Sequence, residues 1–204
     1  DEVFLDAVRS QWGEKFVLKS LDFSRQFPWK QTVQALERLL QYKPIHLESV
    51  SDIRDPEGQY EIRKRIDVPI SEHVDTTEKA FEFAKRRYVD IFNVCLSGTG
   101  GFTTALHIAQ IAQAAGISCL VGTTQELSIG VAAQAMFGAV VENLDFPGDP
   151  TGGLLYESDV VVERVRYEKG YLIVPEGPGL GMELDGEKLA AITHPLSSVS
   201  EPGT

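Results

Sequence analysis

Three residues able to bind a cation or move a proton, Asp22, Glu48 and His73, stand 26 and 25 residues apart. Each ends an apolar stretch: Phe16-Val-Leu-Lys-Ser-Leu before Asp22, Ile45-His-Leu before Glu48, and Val68-Pro-Ile-Ser-Glu before His73. The step is about the length of one strand-loop-helix-loop unit. If such units repeat around a barrel, the three side chains fall at the same ends of consecutive strands and converge. Two carboxylates and an imidazole brought together repel or lose solvation unless positive charge lies among them. A divalent cation is the natural candidate, which makes Asp22, Glu48 and His73 a candidate ligand set. The plainer reading of Asp22 is an exposed loop acid or a helix cap ahead of Pro28. Glu72, next to His73, serves as the third ligand only if the strand end is bulged, because adjacent strand residues point to opposite faces.

The elements that must position these residues alternate along the chain. Val3, Phe4, Ala7, Val8 and Trp12 mark one face of a helix that stops near Gly13. Strands are predicted over 16–23, 45–48, 68–71, 90–96 and 117–121. Between them, helices are predicted over 29–41, 59–66, 77–87 and 103–115, and a further one over 128–141. The helix over 29–41 has Val33, Leu36, Leu39 and Leu40 inward, and that over 77–87 carries Ala80, Phe81 and Ala84. Pro28 suits a helix start, and Gly116 suits a C-terminal cap. Gly98, Gly100 and Gly101 form a turn, whose backbone N–H groups either hold an anion or simply pack. Beyond Gly153 the pattern turns irregular: 160–174 reads as two short strands around Lys169-Gly170 that supply a sixth, irregular strand. The segment 193–204 is expected to be a flexible tail after a domain spanning 1–192.

Strands alternating with helices predict a parallel sheet or barrel. The count falls short of the eight strands of a closed barrel, and the first element is a helix. The fold expected is therefore α/β, a partial (β/α)8-type (TIM-like) barrel without an N-terminal capping domain or the first barrel strands. Its open edges imply missing N-terminal sequence, cleavage, or a partner chain that completes the barrel.

Composition excludes some roles. A formal net charge of -11 argues against a nucleic-acid partner, which needs a basic face. It leaves room for an acidic substrate, because a bound metal reverses the local field. No apolar run approaches membrane-spanning length, so no membrane partner is expected. Cys95 and Cys119 both lie in apolar stretches and read as buried thiols, which suits a reducing, cytoplasmic compartment.

The segment Pro175-Glu-Gly-Pro-Gly-Leu-Gly-Met-Glu-Leu-Asp185 resembles the C-terminal signature of the enolase superfamily, in its muconate-lactonizing and mandelate-racemase branch. The segment from Thr99 to Gly116 is similar to that family's sixth strand-loop-helix. Gly122-Thr-Thr-Gln-Glu-Leu-Ser-Ile-Gly130 is similar to its seventh strand end, and Glu48 to its acidic motif at the fourth strand. The resemblance implies an enzyme, an isomerase or a dehydratase. It requires Mg2+ or Mn2+ and removes the proton alpha to the carboxylate of a small-molecule substrate through a metal-stabilised enediolate. It implies a homo-oligomer, metal ligands at Asp22, Glu48 and the position of His73, and a site carboxylate at Glu126. The plainer reading of Glu126 is a charge at a helix N-terminus.

Several positions depart from the pattern. His73 stands where most members carry an acid, which suits manganese, iron or zinc better than magnesium. Cys95 stands where many lactonizing members carry a catalytic Lys. A thiol exchanges a proton there only beside a cation, and otherwise fills space. Cys95 alternates with Asn93 and Ser97, so the three are expected to share a face. Ser24 stands where an Asn often supports the first ligand, and the family's Lys-x-Lys base pair is not found. A muconate-cycloisomerase-like isomerase or epimerase is the leading expectation. An acid-sugar dehydratase and a non-catalytic relative are the alternatives.

Overall fold

The structure, a computed structural model, describes residues 2–193, so the expected tail lies outside the described residues apart from Thr193. The chain forms two compact units. The first comprises Asp1–Gly122 and Val141–Asp149, the second Thr123–Val140 and Pro150–Thr204.

The first unit is a parallel sheet of five short strands, ordered as they occur in the chain. They are β1 (Ser20–Asp22), β2 (His46–Glu48), β3 (Ile70–His73), β4 (Ile91–Val94) and β5 (Ser118–Val121). The helices of this unit are α1 (Glu2–Trp12), α2 (Trp29–Leu39), α3 (Pro56–Arg63), α4 (Thr77–Arg86), α5 (Leu96–Thr99) and α6 (Phe102–Ala114). Register fixes which side chains share a face. Asp22 pairs with Glu48, Glu48 with Ser71, His73 with Asn93, and Asn93 with Leu120. Side chains alternate along each strand, so these residues form one row, with His46 and Gly122 in it. Leu47, Ile70, Glu72, Phe92, Val94, Cys119 and Val121 form the other row. The second row is almost wholly apolar and fully or nearly buried, as a sheet covered by helices requires.

Local chemistry sets the helices. In α6, Ala105, Ile108, Ala109 and Ala112 recur at helical spacing and are buried. The helix ends as the sequence predicts: Gly116 takes a φ of +67°, its N–H donates to Gln113 O, and Ile117 N–H donates to Ala112 O. Helix α3 starts at Pro56, three residues before the predicted Gln59. Asp55 caps it by accepting from Gly58 N at 3.0 Å, and proline sits well in the first turn. The predicted turn at Gly98 instead contains the single helical turn α5, closed by Gly100 at a φ of +76°.

Three apolar predictions change. In α2 the fully buried residues are Thr32 and Leu36, and the Thr32 hydroxyl donates to Val50 O at 2.7 Å. In α4 the ring that enters the core is Phe83, edge-on to Tyr88, while Phe81 is exposed. In α1 only Leu5 is buried, and Val3, Phe4 and Trp12 face solvent among the described residues.

The second unit holds α7 (Ser128–Val140), the hairpin β6 (Tyr167–Glu168) and β7 (Tyr171–Leu172), and α8 (Gly186–Ile192). The hairpin turns at Lys169-Gly170 as expected, but it pairs antiparallel with itself and supplies no sixth parallel strand. Val131, Ala132 and Val165 form a small core covered by Tyr167, Leu172, Leu180 and Met182.

Phe92 is fully buried in β4, so Phe92→Ala is expected to destabilise the first unit by about 3–5 kcal/mol. Phe81→Ala is expected to stay within about 0.5 kcal/mol of the parent. Chemical denaturation of both variants checks that Phe92 belongs to the core and Phe81 does not.

Candidate functional site

The row that begins with Asp22 and Glu48 carries polar side chains to the C-terminal ends of β1–β4. Asp22 is exposed, and its Oδ1 accepts from Ser24 N at 2.7 Å while the Ser24 hydroxyl lies 3.3 Å from Oδ2. Ser24 and Arg25 both take left-handed backbone angles, with φ of +51° and +57°. The chain turns sharply there and folds the serine back onto the acid. Ser24, which stands where the resemblance puts an Asn, thus contacts the Asp22 carboxylate through both its backbone N–H and its hydroxyl.

Glu48 is only 8% exposed. Its Oε1 accepts from Asn93 Nδ2 at 2.9 Å and lies 3.0 Å from His73 Nε2. His46 Nε2 lies 3.9 Å from Oε2, too far for a hydrogen bond. Burial pushes the Glu48 carboxyl up, but the His46 and His73 imidazoles outweigh it and hold the group well below the usual carboxylate range. Glu48 is therefore ionised at neutral pH. His46 is fully buried, edge-on to Phe146, and neither ring nitrogen has a hydrogen-bond partner. The sequence carried a signal for it, since His46 alternates with Glu48 on one short strand.

Glu72 points the other way, so the strand end is not bulged to bring it into the row. Its carboxylate is 2% exposed and accepts from Arg25 Nε at 2.9 Å, Arg25 Nη2 at 2.5 Å, Gln59 Nε2 at 2.9 Å and His73 N at 2.8 Å. It is committed to a buried ion pair and does not replace His73 beside Glu48.

Cys95 follows β4 and is buried, with Sγ 3.1 Å from Ser97 Oγ. The expected three-residue strand face stops at Cys95, because Ser97 already lies in α5. Neither Cys95 nor Cys119 forms a disulfide; Cys119 is also buried, and burial pushes it up to about 12. Gly122 has a packing reason to be glycine, since a Cβ there would meet Asn93 Oδ1 at 1.9 Å. Any larger residue displaces the amide that donates to Glu48.

Glu126 belongs to the second unit. It accepts from Thr123 Oγ1 at 2.5 Å, Thr124 N at 3.1 Å, Thr124 Oγ1 at 2.8 Å and Gln134 Nε2 at 2.8 Å. Burial pushes it up, but these donors win and bring it down to about 2. The carboxylate is held as an ion and is a weak base in this arrangement.

The donor set fits a divalent cation in part. Two carboxylates stand in register on neighbouring strands, with an imidazole on the second of them. Among the described residues no three His, Cys, Asp or Glu side chains are drawn around a common point. The Oε1 oxygen of Glu48 is instead satisfied by His73 and Asn93. A cation here has to displace the His73 contact, and the nitrogen donor favours manganese, iron or zinc over magnesium.

Comparison with known proteins places these features. The family profile described as "Enolase C-terminal domain-like" matches residues 1–189. The chain is 29% identical over 185 residues to Muconate cycloisomerase 1 of Acinetobacter baylyi, covering 90% of this chain and 50% of that protein. It is 28% identical to the L-Ala-D/L-Glu epimerase of Bacillus subtilis, covering 90% of this chain and 52% of that protein. The solved muconate lactonizing enzyme from Pseudomonas putida superposes with a TM-score of 0.86 at 28% identity, over 93% of this chain and 54% of that one. The chain thus spans about half the length of these relatives. The five-stranded sheet corresponds to the C-terminal part of their barrel. No helix among the described residues is long and apolar enough to cross a membrane.

The lowered pKa of Glu48 has a consequence for stability. A depressed folded-state pKa adds stability that is present above the unfolded value, about 4.3, and is lost as pH falls through the folded one. The stability difference between the parent and Glu48→Gln is expected to be largest at pH 7 and to shrink below about pH 4.3. Urea denaturation across that range measures it, and a difference that does not change with pH contradicts the assignment.

Proposed function

We propose that this chain, which belongs to the enolase C-terminal domain-like family, is the barrel portion of an isomerase or epimerase. The reaction removes a proton alpha to the carboxylate of a small substrate. The observation that carries this reading is the in-register pair Asp22 and Glu48 at adjacent strand ends, with His73 on Glu48. Relatives named muconate cycloisomerase and L-Ala-D/L-Glu epimerase support the class, since both names denote isomerisation of carboxylate-bearing compounds. Between these two substrate types the residues of this chain do not choose.

The alpha proton of a carboxylate is very weakly acidic, so the barrier falls chiefly by stabilising the negative charge that develops. Asp22, Glu48 and His73 would hold a divalent cation, Mg2+ or Mn2+, which supplies that stabilisation when bound. The remaining work belongs to the chain itself. Ser24 fixes the Asp22 carboxylate through its backbone N–H. Asn93 fixes that of Glu48, and Gly122 leaves room for the amide that does so. Glu126 is kept ionised by its threonines and Gln134, as suits a hydrogen-bond acceptor more than a proton carrier.

A second reading has one observation in its favour. Glu48 is satisfied by His73 and Asn93 alone, as in a relative that no longer needs a cation.

Exchange of the substrate alpha proton in deuterated water, with Mg2+ or Mn2+, separates the two. Deuterium incorporation is expected into at least one member of a carboxylic-acid panel. Asp22→Asn or Glu48→Gln is expected to lower the rate on the order of 100-fold. No incorporation across the panel, with no calorimetric binding of either metal, favours the non-catalytic relative.

A further inference from the structure

Arg25 and Glu72 stand out because neither belongs to the row of site residues, yet each is joined to one end of it. Arg25 lies three residues past Asp22, just after Ser24, whose N–H donates to Asp22. Glu72 immediately precedes His73 and accepts from its backbone N–H. The two come from the ends of β1 and β3, and the strand between them is β2, which carries Glu48. The guanidinium spans that strand. Arg25 N donates to Ser49 O at 3.0 Å, and both Nε and Nη2 reach Glu72 Oε1. Three non-glycine residues adopt left-handed angles to permit the crossing: Ser24, Arg25 and Ser49, with φ of +51°, +57° and +52°. Such angles are costly for residues with a Cβ and persist only where the surroundings over-determine them.

We propose that the Arg25–Glu72 ion pair is a positioning strap that sets Asp22 and His73 relative to each other across Glu48. Its pieces run without a gap from Asp22 through Ser24 and Arg25 to Glu72 and His73. Gln59 Nε2 holds the second Glu72 oxygen, so the carboxylate cannot turn away from the strap. Burial of Arg25 works against its charge, while the hydrogen bond to Glu72 favours it. Asp75 and Asp22 are the other acids that act on it. Neither Arg25 nor Glu72 needs to touch substrate; both are positioning residues. The strap rests on the proposed role of the Asp22–Glu48–His73 row, although its geometry does not.

Two variants test it. Arg25→Lys keeps the positive charge but loses the planar fork that grips one oxygen twice. Glu72→Gln keeps the shape and an acceptor oxygen but loses the negative charge. The readouts are the amide resonances of Ser24 and His73 in labelled protein, the melting temperature, and kcat and KM for alpha-proton exchange. Both amide signals are expected to move together in either variant, including the one whose substituted residue is distant in sequence. Exchange kcat is expected to fall about 10- to 100-fold with KM nearly constant, and by more than the change in melting temperature accounts for. The proposal is overturned if substituting Arg25 leaves the His73 amide in place, or if signals and rate follow lost stability alone. If the parent protein exchanges no proton with any carboxylate, the enzymatic reading fails, and the two amide signals still decide the strap.

Discussion

Glu48 is a charge held where water barely reaches, and the end of the first unit's sheet is arranged around that fact. An isolated carboxylate buried to this extent would take up a proton. It stays ionised because the neighbouring imidazoles of His73, on β3, and His46 outweigh its burial, while Asn93 donates to it from β4. Those two strands can do so only because the register places Asn93 opposite His73 and Ser71 opposite Glu48. A slip of one residue in either pairing would turn the donors to the helix side of the sheet and leave Glu48 alone. Gly122 at the end of β5 belongs to the same arrangement, since only a missing Cβ leaves space for the amide. Packing, register and electrostatics at this point are one constraint seen in three ways.

The period-two alternation also divides two neighbouring acceptors between different tasks. His73 and Glu72 are adjacent, yet one faces Glu48 and the other is sealed beneath Arg25 and Gln59. Breaking a buried pair of this kind leaves an uncompensated charge, at a typical cost of about 3–5 kcal/mol. That cost explains why the strained backbone at Ser24, Arg25 and Ser49 is retained: relaxing it would withdraw the guanidinium from Glu72. The site face is polar and partly open, whereas the Glu72 face is closed, with its carboxylate held by Arg25 and Gln59.

Much of this was legible in the residues. The spacing of Asp22, Glu48 and His73 placed them at successive strand ends, and the apolar period of α6 with Gly116 beyond it fixed that helix and its cap. What escaped has physical causes. Phe81 and Phe83 stand two apart on one helix, and it is Phe83, three residues after Ala80, that turns inward against Tyr88. Asp55-Pro56 is a helix start, but the weakly apolar stretch behind it suggested a later one. The Arg25–Glu72 pair joins residues 47 apart through left-handed backbone, and nothing local announces it. Cys95 and Ser97 alternate as a strand would, but Leu96 begins a helical turn and removes the serine from the face. The hairpin around Lys169 was readable from its turn, whereas its separation from the parallel sheet was not.

The imidazole at position 73 changes what the cluster can do by itself. With an acid there, three carboxylates would crowd the same strand ends, and their repulsion would be relieved only by a cation or by protonation. His73 removes one negative charge and brings a nitrogen to Glu48, so the cluster closes on itself with its buried carboxylate satisfied. Any cation that enters must give Glu48 more than the His73 contact it displaces, and must do so with Asp22, which lies exposed and tied only to Ser24. His46 bears on that balance as well. Its two ring nitrogens and the Asn93 Oδ1 are buried without a partner, and a buried polar group in that state favours any rearrangement that gives it one. The His73 contact that satisfies Glu48 thus stands beside buried groups that would gain from a rearrangement.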